Sequence, residues 1–324
     1  MSTSHERVHY GIRPAKAIER KMIAEVLQRL SHFGALDRYA YVGMGSLYFA
    51  DFILFHKVLG TRSMVSLEED GSNETRFRFN VPYSFVRLKI GKSDDLLPAV
   101  LKHRQTILWL DYDRGFGTGI DVLKDCKTFA ETVSSGSILV VTLADQEYRG
   151  NPPHALSPAR RFSEFQELVG RQMIPATWNA ERVANEGMTD LYREVVSNHI
   201  SKVLEDRNGV ESSRRNWEFK QLLNFRYKDS ASMATFGGIL YRNQDAPKFD
   251  ACRFGNLEFV RCENQPPFEI KAPKLTFREI RHLDSHLPGK TGPFRHCGTI
   301  PRGFTDQYRQ VYRYFPAFVE AEVS

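Results

Sequence analysis

The chain begins its regular patterning with a helical period. Between residues 13 and 33, Ile18, Met22, Val26 and Leu30 recur every fourth position with Ile23 and Leu27 beside them, the stripe of a helix laid on a core. Pro14 suits the first turn and Gly34 the stop. Arg13, Lys16, Arg20 and Lys21 fall on the other face, which the pattern assigns to solvent. A different rhythm follows. RYAYVG, RSMVSLE, SFVRLKIG, TILWLDYD and SILVVTLAD are short apolar runs rich in β-branched and aromatic residues. Helical stretches at 46–59, 73–81, 94–103 and 119–134 separate them. Strands alternating with helices predict βαβ units and a parallel sheet with both faces covered. Right-handed crossovers then bring the strand C-termini to one edge, where open α/β sheets bind ligands.

After residue 150 the pattern loosens. RFSEFQELVGRQM and residues 189–206 predict helices. WEFKQLLNFRYKD and SMATFGGILYR predict two strands joined by the polar turn KDSAS, an antiparallel hairpin that closes the sheet. Residues 245–324 are rich in Pro and aromatics, with one periodic segment, TFREIRHLDSHL. The expected organisation is a helical segment over 1–36, a Rossmann-like domain over 37–244 and an appendage over 245–324 that covers the site or binds a partner.

Composition narrows the class. Of 324 residues 41% are apolar and 26% charged, so a sizeable core is expected. The net charge of +6 is mild and indicates a solvated basic surface more readily than a nucleic-acid partner. Cys126, Cys252, Cys262 and Cys297 form no C-x-x-C, so zinc is not expected and reduced, cytoplasmic thiols are. No apolar run is long enough for a membrane span, and the N-terminal residues lack a signal-peptide core.

Candidate chemistry gathers at the strand ends. Gly43 and Gly45 close the first strand, where glycine allows a close turn. Glu68 ends the second strand, 25 residues after Gly43; a carboxylate there can accept both hydroxyls of a ribose. Ser93 and Asp94 follow the third strand, Asp111 and Asp113 end the fourth, and Asp145 and Gln146 end the fifth. Helix capping explains any one of these, but it does not explain why Glu68, Asp111 and Asp145 share an edge. The G-x-S-x-G of hydrolases is absent. So is G-x-G-x-x-G, since position 48 is Tyr. NPPH at 151–154 reads as an Asn-Pro turn. HLPGKTGPFRHCG, with His286 and His296, reads as a surface loop or a substrate lid. The mixture of Arg309, Tyr312, Arg313, Tyr314 and Phe315 reads as a tail packed on the domain.

YVGMGSLYFADF, MVSLEED, LKIGKSDDLLPAVL, LWLDYD and GSILVVTLADQ together resemble the class I S-adenosylmethionine-dependent methyltransferases over residues 39–147, and most of all their cation-dependent, catechol-type O-methyltransferases. The resemblance implies a doubly wound, mostly parallel α/β sheet of seven strands. It implies an S-adenosylmethionine site in which Gly43, Gly45 and Ser46 lie under the methionine part, Glu68 holds the ribose, and Ser93 and Asp94 hold the adenine. Asp111, Asp145 and Gln146 would match a Mg²⁺ site, with Asp111 and Asp113 as the catalytic acids, and methyl transfer would go to an oxygen of a small molecule. Two departures stand out. DYDRGFG has Arg114 where the family commonly has Lys, and Gln146 replaces the usual Asn. The alternatives are a non-catalytic S-adenosylmethionine or nucleotide sensor, a subunit of a larger assembly with a protein partner, and a nucleic-acid methyltransferase; self-association stays open.

Overall fold

A computed structural model describes residues 13–116, 122–146, 148, 156–209, 215–288 and 299–316. NPPH, His296, Cys297, Gly289, Gly292 and Gly298 lie outside the described residues. In chain order the strands are β1 (Ala40–Gly43), β2 (Ser63–Glu68), β3 (Val86–Ile90), β4 (Thr106–Asp111), β5 (Ser137–Ala144), β6 (Trp217–Lys228), β7 (Ser232–Arg242) and β8 (Phe268–Ile270). The helices are α1 (Pro14–Gln28), α2 (Ala50–Leu59), α3 (Glu74–Asn80), α4 (Ser93–Val100), α5 (Val122–Thr132), α6 (Pro158–Val169), α7 (Ala180–Glu186), α8 (Thr189–Asn208), α9 (Ala246–Cys252), α10 (Phe277–Asp284) and α11 (Arg302–Val311).

The strands form one sheet in the order β3-β2-β1-β4-β5-β7-β6-β8. β1 to β5 run parallel, β7 is antiparallel to β5, and β6 completes the expected hairpin. The fold is the doubly wound α/β sheet that the alternation predicts. It has eight strands, not seven, because β8 adds three residues parallel to β6. The run QPPFEIKAP hides that strand, since prolines on both sides mask so short an extended segment.

Alternation along each strand sends side chains to two apolar layers. On β4, Ile107 and Trp109 enter the layer under α1 and α2, while Leu108 and Leu110 enter the layer under α5 and α8. Burial on both faces is why TILWLD reads as a continuous apolar run. In α1 Ile18, Met22 and Leu27, and in the turn after it Leu30, are fully buried, each worth about 1.5–3 kcal/mol of transfer free energy. Cys252, Phe254, Phe259, Ile270, Val311 and Tyr314 join the same layer. The tail residues thus pack on α1, and Arg313 adds a 3.0 Å ion pair to Glu25.

α1 has no N-cap side chain of its own. Its first amides are instead met by Asp229 of the β6–β7 turn, which accepts from the backbone N–H of Ala15 at 3.0 Å and of Lys16 at 3.1 Å. A carboxylate there also complements the helix dipole. This clamp fixes the rotation of α1 and so decides where its basic residues go. No described helix is long and apolar enough to cross a membrane.

Candidate functional site

The strand order reverses between β1 and β4, which opens a crevice at their C-terminal ends. Gly43 ends β1 on one side of it. A Cβ on Gly43 would collide with the Tyr41 hydroxyl, and one on Gly45 would come within 2.5 Å of the Phe49 ring. The loop therefore needs both glycines for space. It also bends sharply: Ser46 and Phe49 adopt φ of 49° and 46°, a left-handed conformation costing roughly 1–2 kcal/mol per residue. The burial of the Phe49 ring offsets that cost.

Glu68 and Ser66 of β2 hold the bend. Ser66 Oγ accepts from the Gly45 N–H at 3.0 Å and donates to Glu68 Oε1 at 2.8 Å. The Ser46 N–H donates to the same Oε1 at 2.9 Å. Glu68 is 8% exposed, and burial pushes its carboxyl up to about 7 despite these hydrogen bonds. Its hydrogen bonds to described residues all reach Oε1.

The crevice's other acid is held differently. Asp111 Oδ1 receives Lys16 Nζ at 2.6 Å. The same ammonium lies 2.9 Å from Glu19 Oε2, donates to Tyr227 OH at 3.1 Å and sits 4.7 Å above the Trp109 ring. Beyond it, Thr235 donates to Glu19, the Thr235 and Thr142 hydroxyls bond at 2.7 Å, and Trp109 Nε1 donates to Thr142 at 3.0 Å. The Tyr41 hydroxyl bonds to Asp51, whose carboxyl burial pushes upward, with Arg20 opposing. The expectation that Arg13, Lys16 and Arg20 face solvent is therefore corrected. They are 8%, 1% and 9% exposed, because α1 turns its polar face toward Asp111, Asp51 and Asp229 rather than toward water.

The remaining predicted residues scatter along the edge. Ser93, at the start of α4, donates to the buried Asp125 at 2.5 Å, and the Tyr112 hydroxyl donates to the same carboxylate oxygen. Asp94 pairs with Lys124 at 2.9 Å, which holds its carboxyl below the usual range. Asp113 is half exposed, 3.7 Å from Arg114. Asp145 accepts from Thr189 Oγ1 at 2.5 Å and lies 4.0 Å from Arg226. The Gln146 carbonyl accepts from Tyr192 at 3.3 Å.

The implied Mg²⁺ does not fit this donor set. Hard cations take carboxylates that lack another positive partner, yet Asp111 carries Lys16 and Asp145 lies beside Arg226. Among the described residues no group of three or more His, Cys, Asp or Glu is placed to hold a metal. The Gly45 and Ser46 amides with Ser66 and Glu68 instead form a cradle of neutral donors around one buried carboxyl. Sequence reasoning missed Ser66, Lys16, Glu19 and Tyr227. Ser66 could have been found as the residue two before Glu68 on the same strand face. Nothing in the sequence aligns Lys16 with Asp111.

Comparison with known proteins adds a family. The model of a family described as "Putative O-methyltransferase" matches residues 8–323. No curated protein matches the chain. Among solved structures, a chain from the complex between the Haloferax volcanii Trm112 methyltransferase activator and the "putative methyltransferase" is 13% identical over 40% of this chain and 55% of that one, with a TM-score of 0.29. The "probable spermidine synthase" of Corynebacterium glutamicum is 10% identical over 68% of this chain and 63% of its own, with a TM-score of 0.39. The LepI complex with SAM is 9% identical over 66% and 46%, with a TM-score of 0.34. This chain thus spans less than two thirds of each of these three proteins, and likenesses of this size carry no argument about activity.

Proposed function

We propose, from the premise that the chain belongs to the family described as "Putative O-methyltransferase", that it transfers a methyl group from S-adenosylmethionine to an oxygen of a small molecule, and that it does so without a divalent cation. One observation carries this reading: the Gly45–Ser46 amides, Ser66 and Glu68 converge at the point where the strand order reverses. Glu68 Oε2 accepts the ribose hydroxyls, and the β1 loop, which has no room for side chains at Gly43 and Gly45, lies against the methionine part. Ser93 and Asp94, at the head of α4, border the adenine.

When bound, S-adenosylmethionine supplies an electrophilic methyl carbon next to its sulfonium. The acceptor hydroxyl is oriented by Asp111, whose side chain is 22% exposed while Lys16 is 1% exposed. Lys16 engages Oδ1, and Oδ2 takes the hydroxyl's hydrogen bond and then its proton. With the methyl group moved from sulfur to that oxygen, S-adenosylhomocysteine would leave and Asp111 would hold the acceptor's proton. Positioning supplies much of the rate, and a base of this kind typically adds a factor of about 10²–10⁴.

The test is release of S-adenosylhomocysteine in the presence of excess EDTA, with a panel of phenols, catechols and carboxylic acids. Turnover with one acceptor class is expected, with Asp111→Asn lowering kcat by roughly 10² or more at unchanged cofactor affinity. Turnover that requires added Mg²⁺, or an Asp111→Asn variant of full activity, would overturn the metal-free mechanism.

A further inference from the structure

A second cleft lies along the outer edge of the sheet, between β3 and α4. β3 is the outer strand of the sheet, and its Arg87 stands in register with Val65 of β2. Arg87 and Lys89, with Lys102 and Arg104 from the turn before β4, line a cleft of about 460 Å³ whose walls include Val65, Leu96 and Val100. Arg104 donates to Ser63 Oγ at 2.8 Å. Ser63 is the first residue of β2, and none of the residues lining the cleft belongs to the Glu68–Ser66–Ser46 cradle or to the Asp111–Lys16 pair.

Among the described residues the charge in this cleft is uncompensated. Four of its eight lining residues are cationic and none is acidic. Among the described residues none of the four is ion-paired. Arg104 Nε is buried with no hydrogen-bond partner. Burial and the nearby Arg87 both disfavour the Arg104 charge. An apolar wall, converging cations and an unsatisfied guanidinium N–H describe a receptor for an anion that also has an apolar part.

We propose that this cleft binds a small molecule carrying a diphosphate and a group with a flat apolar face, such as the base of a nucleoside diphosphate. Guanidinium forks match phosphate oxygens in geometry and charge. A diphosphate supplies enough negative charge to relieve the repulsion between Arg87 and Arg104, and Val65, Leu96 and Val100 give the flat group a surface to lie on. The volume is that of a small-ligand site.

The experiment is calorimetric titration of the full-length protein with inorganic pyrophosphate and with ADP. Both should bind, ADP more tightly because its nucleoside meets the apolar wall. Arg87→Gln and Arg104→Gln should each weaken binding by roughly tenfold or more, the usual effect of losing a charge-assisted hydrogen bond. Saturating S-adenosylhomocysteine should leave ADP binding unchanged, and so should Glu68→Ala, which separates this cleft from the cofactor crevice. If Arg104→Gln does not fold, the exposed Arg87 and Lys89 carry the test. Competition by S-adenosylhomocysteine, an affinity unchanged in Arg87→Gln and Lys89→Gln, or binding of single-stranded RNA through these residues without binding of pyrophosphate would each overturn the proposal.

Discussion

Glu68 and Asp111 end the strands on either side of β1, each after an apolar run, and in the sequence they look alike. In the fold they are opposites. Glu68 is held by neutral donors, the Ser46 amide and the Ser66 hydroxyl, with no cation in contact among the described residues, and its carboxyl is pushed up to about 7. Asp111 is locked to Lys16, itself tied to Glu19 and Tyr227. The difference underlies the roles proposed for them: a buried acceptor held by neutral donors is given the neutral hydroxyls of a ribose, and an acid whose Oδ1 is already paired with an ammonium is given hydrogen bonding rather than a metal ion.

The strongest way to break the comparison is at Lys16. Lys16→Met leaves Glu19 and Asp111 without their shared cation, and removal of one partner from a buried pair typically costs about 3–5 kcal/mol. Urea denaturation should show a loss of that order. If Mg²⁺ restored the variant, Asp111 would be a metal site once Lys16 is gone.

A smaller effect should appear at Glu68 and should change with pH. Its folded carboxyl titrates near 7 against an ordinary 4.5. As pH rises from 4.5 to 7 the unfolded chain ionises while the folded one keeps its proton, so stability falls across that window and stays lower above it. The full difference is about 3 kcal/mol at 1.36 kcal/mol per unit. Glu68→Gln should lack this decline, so that its stability relative to the parent improves between pH 5 and pH 8 in paired denaturation curves. An equal decline in the variant would show that Glu68 is not the titrating group.

Below these come two controls. Asp229→Ala removes the carboxylate that caps α1 and should cost about 1 kcal/mol. It should also lower activity, because α1 carries Lys16 to Asp111. Asp113→Ala, at a half-exposed pair with Arg114, should change stability by less than about 0.5 kcal/mol and leave methyl transfer intact.

The contrast also shows what the sequence can disclose. Glu68's surroundings come from one βαβ unit: Gly43, Ser46 and Ser66 lie within 25 residues of it, and the alternation of β1 and β2 places them. The parallel order, the closing hairpin and the glycine turn were legible for the same reason, since each follows from a local period or turn. Asp111's partner lies 95 residues away. The side of α1 that Lys16 occupies depends on Asp229, more than 200 residues downstream. Helical periodicity marks which face of α1 is apolar, but it cannot tell a basic face in water from one turned toward buried acids. β8 was hidden by its prolines, and the cleft beside Arg104 by the fact that Arg87 and Lys89 look like ordinary edge-strand charges.

The central claim is that Glu68 receives the ribose of an S-adenosyl ligand with no help from a metal. Titration of S-adenosylhomocysteine in EDTA, into the parent protein and Glu68→Ala, at pH 8 and pH 6, tests it most directly. The parent should bind at pH 8, weaken by up to roughly tenfold at pH 6 as Glu68 takes up its proton, and exceed the variant at pH 8 by about 1.5–3 kcal/mol. Equal affinity in parent and variant at pH 8, or binding that appears only when Mg²⁺ is added, would contradict it.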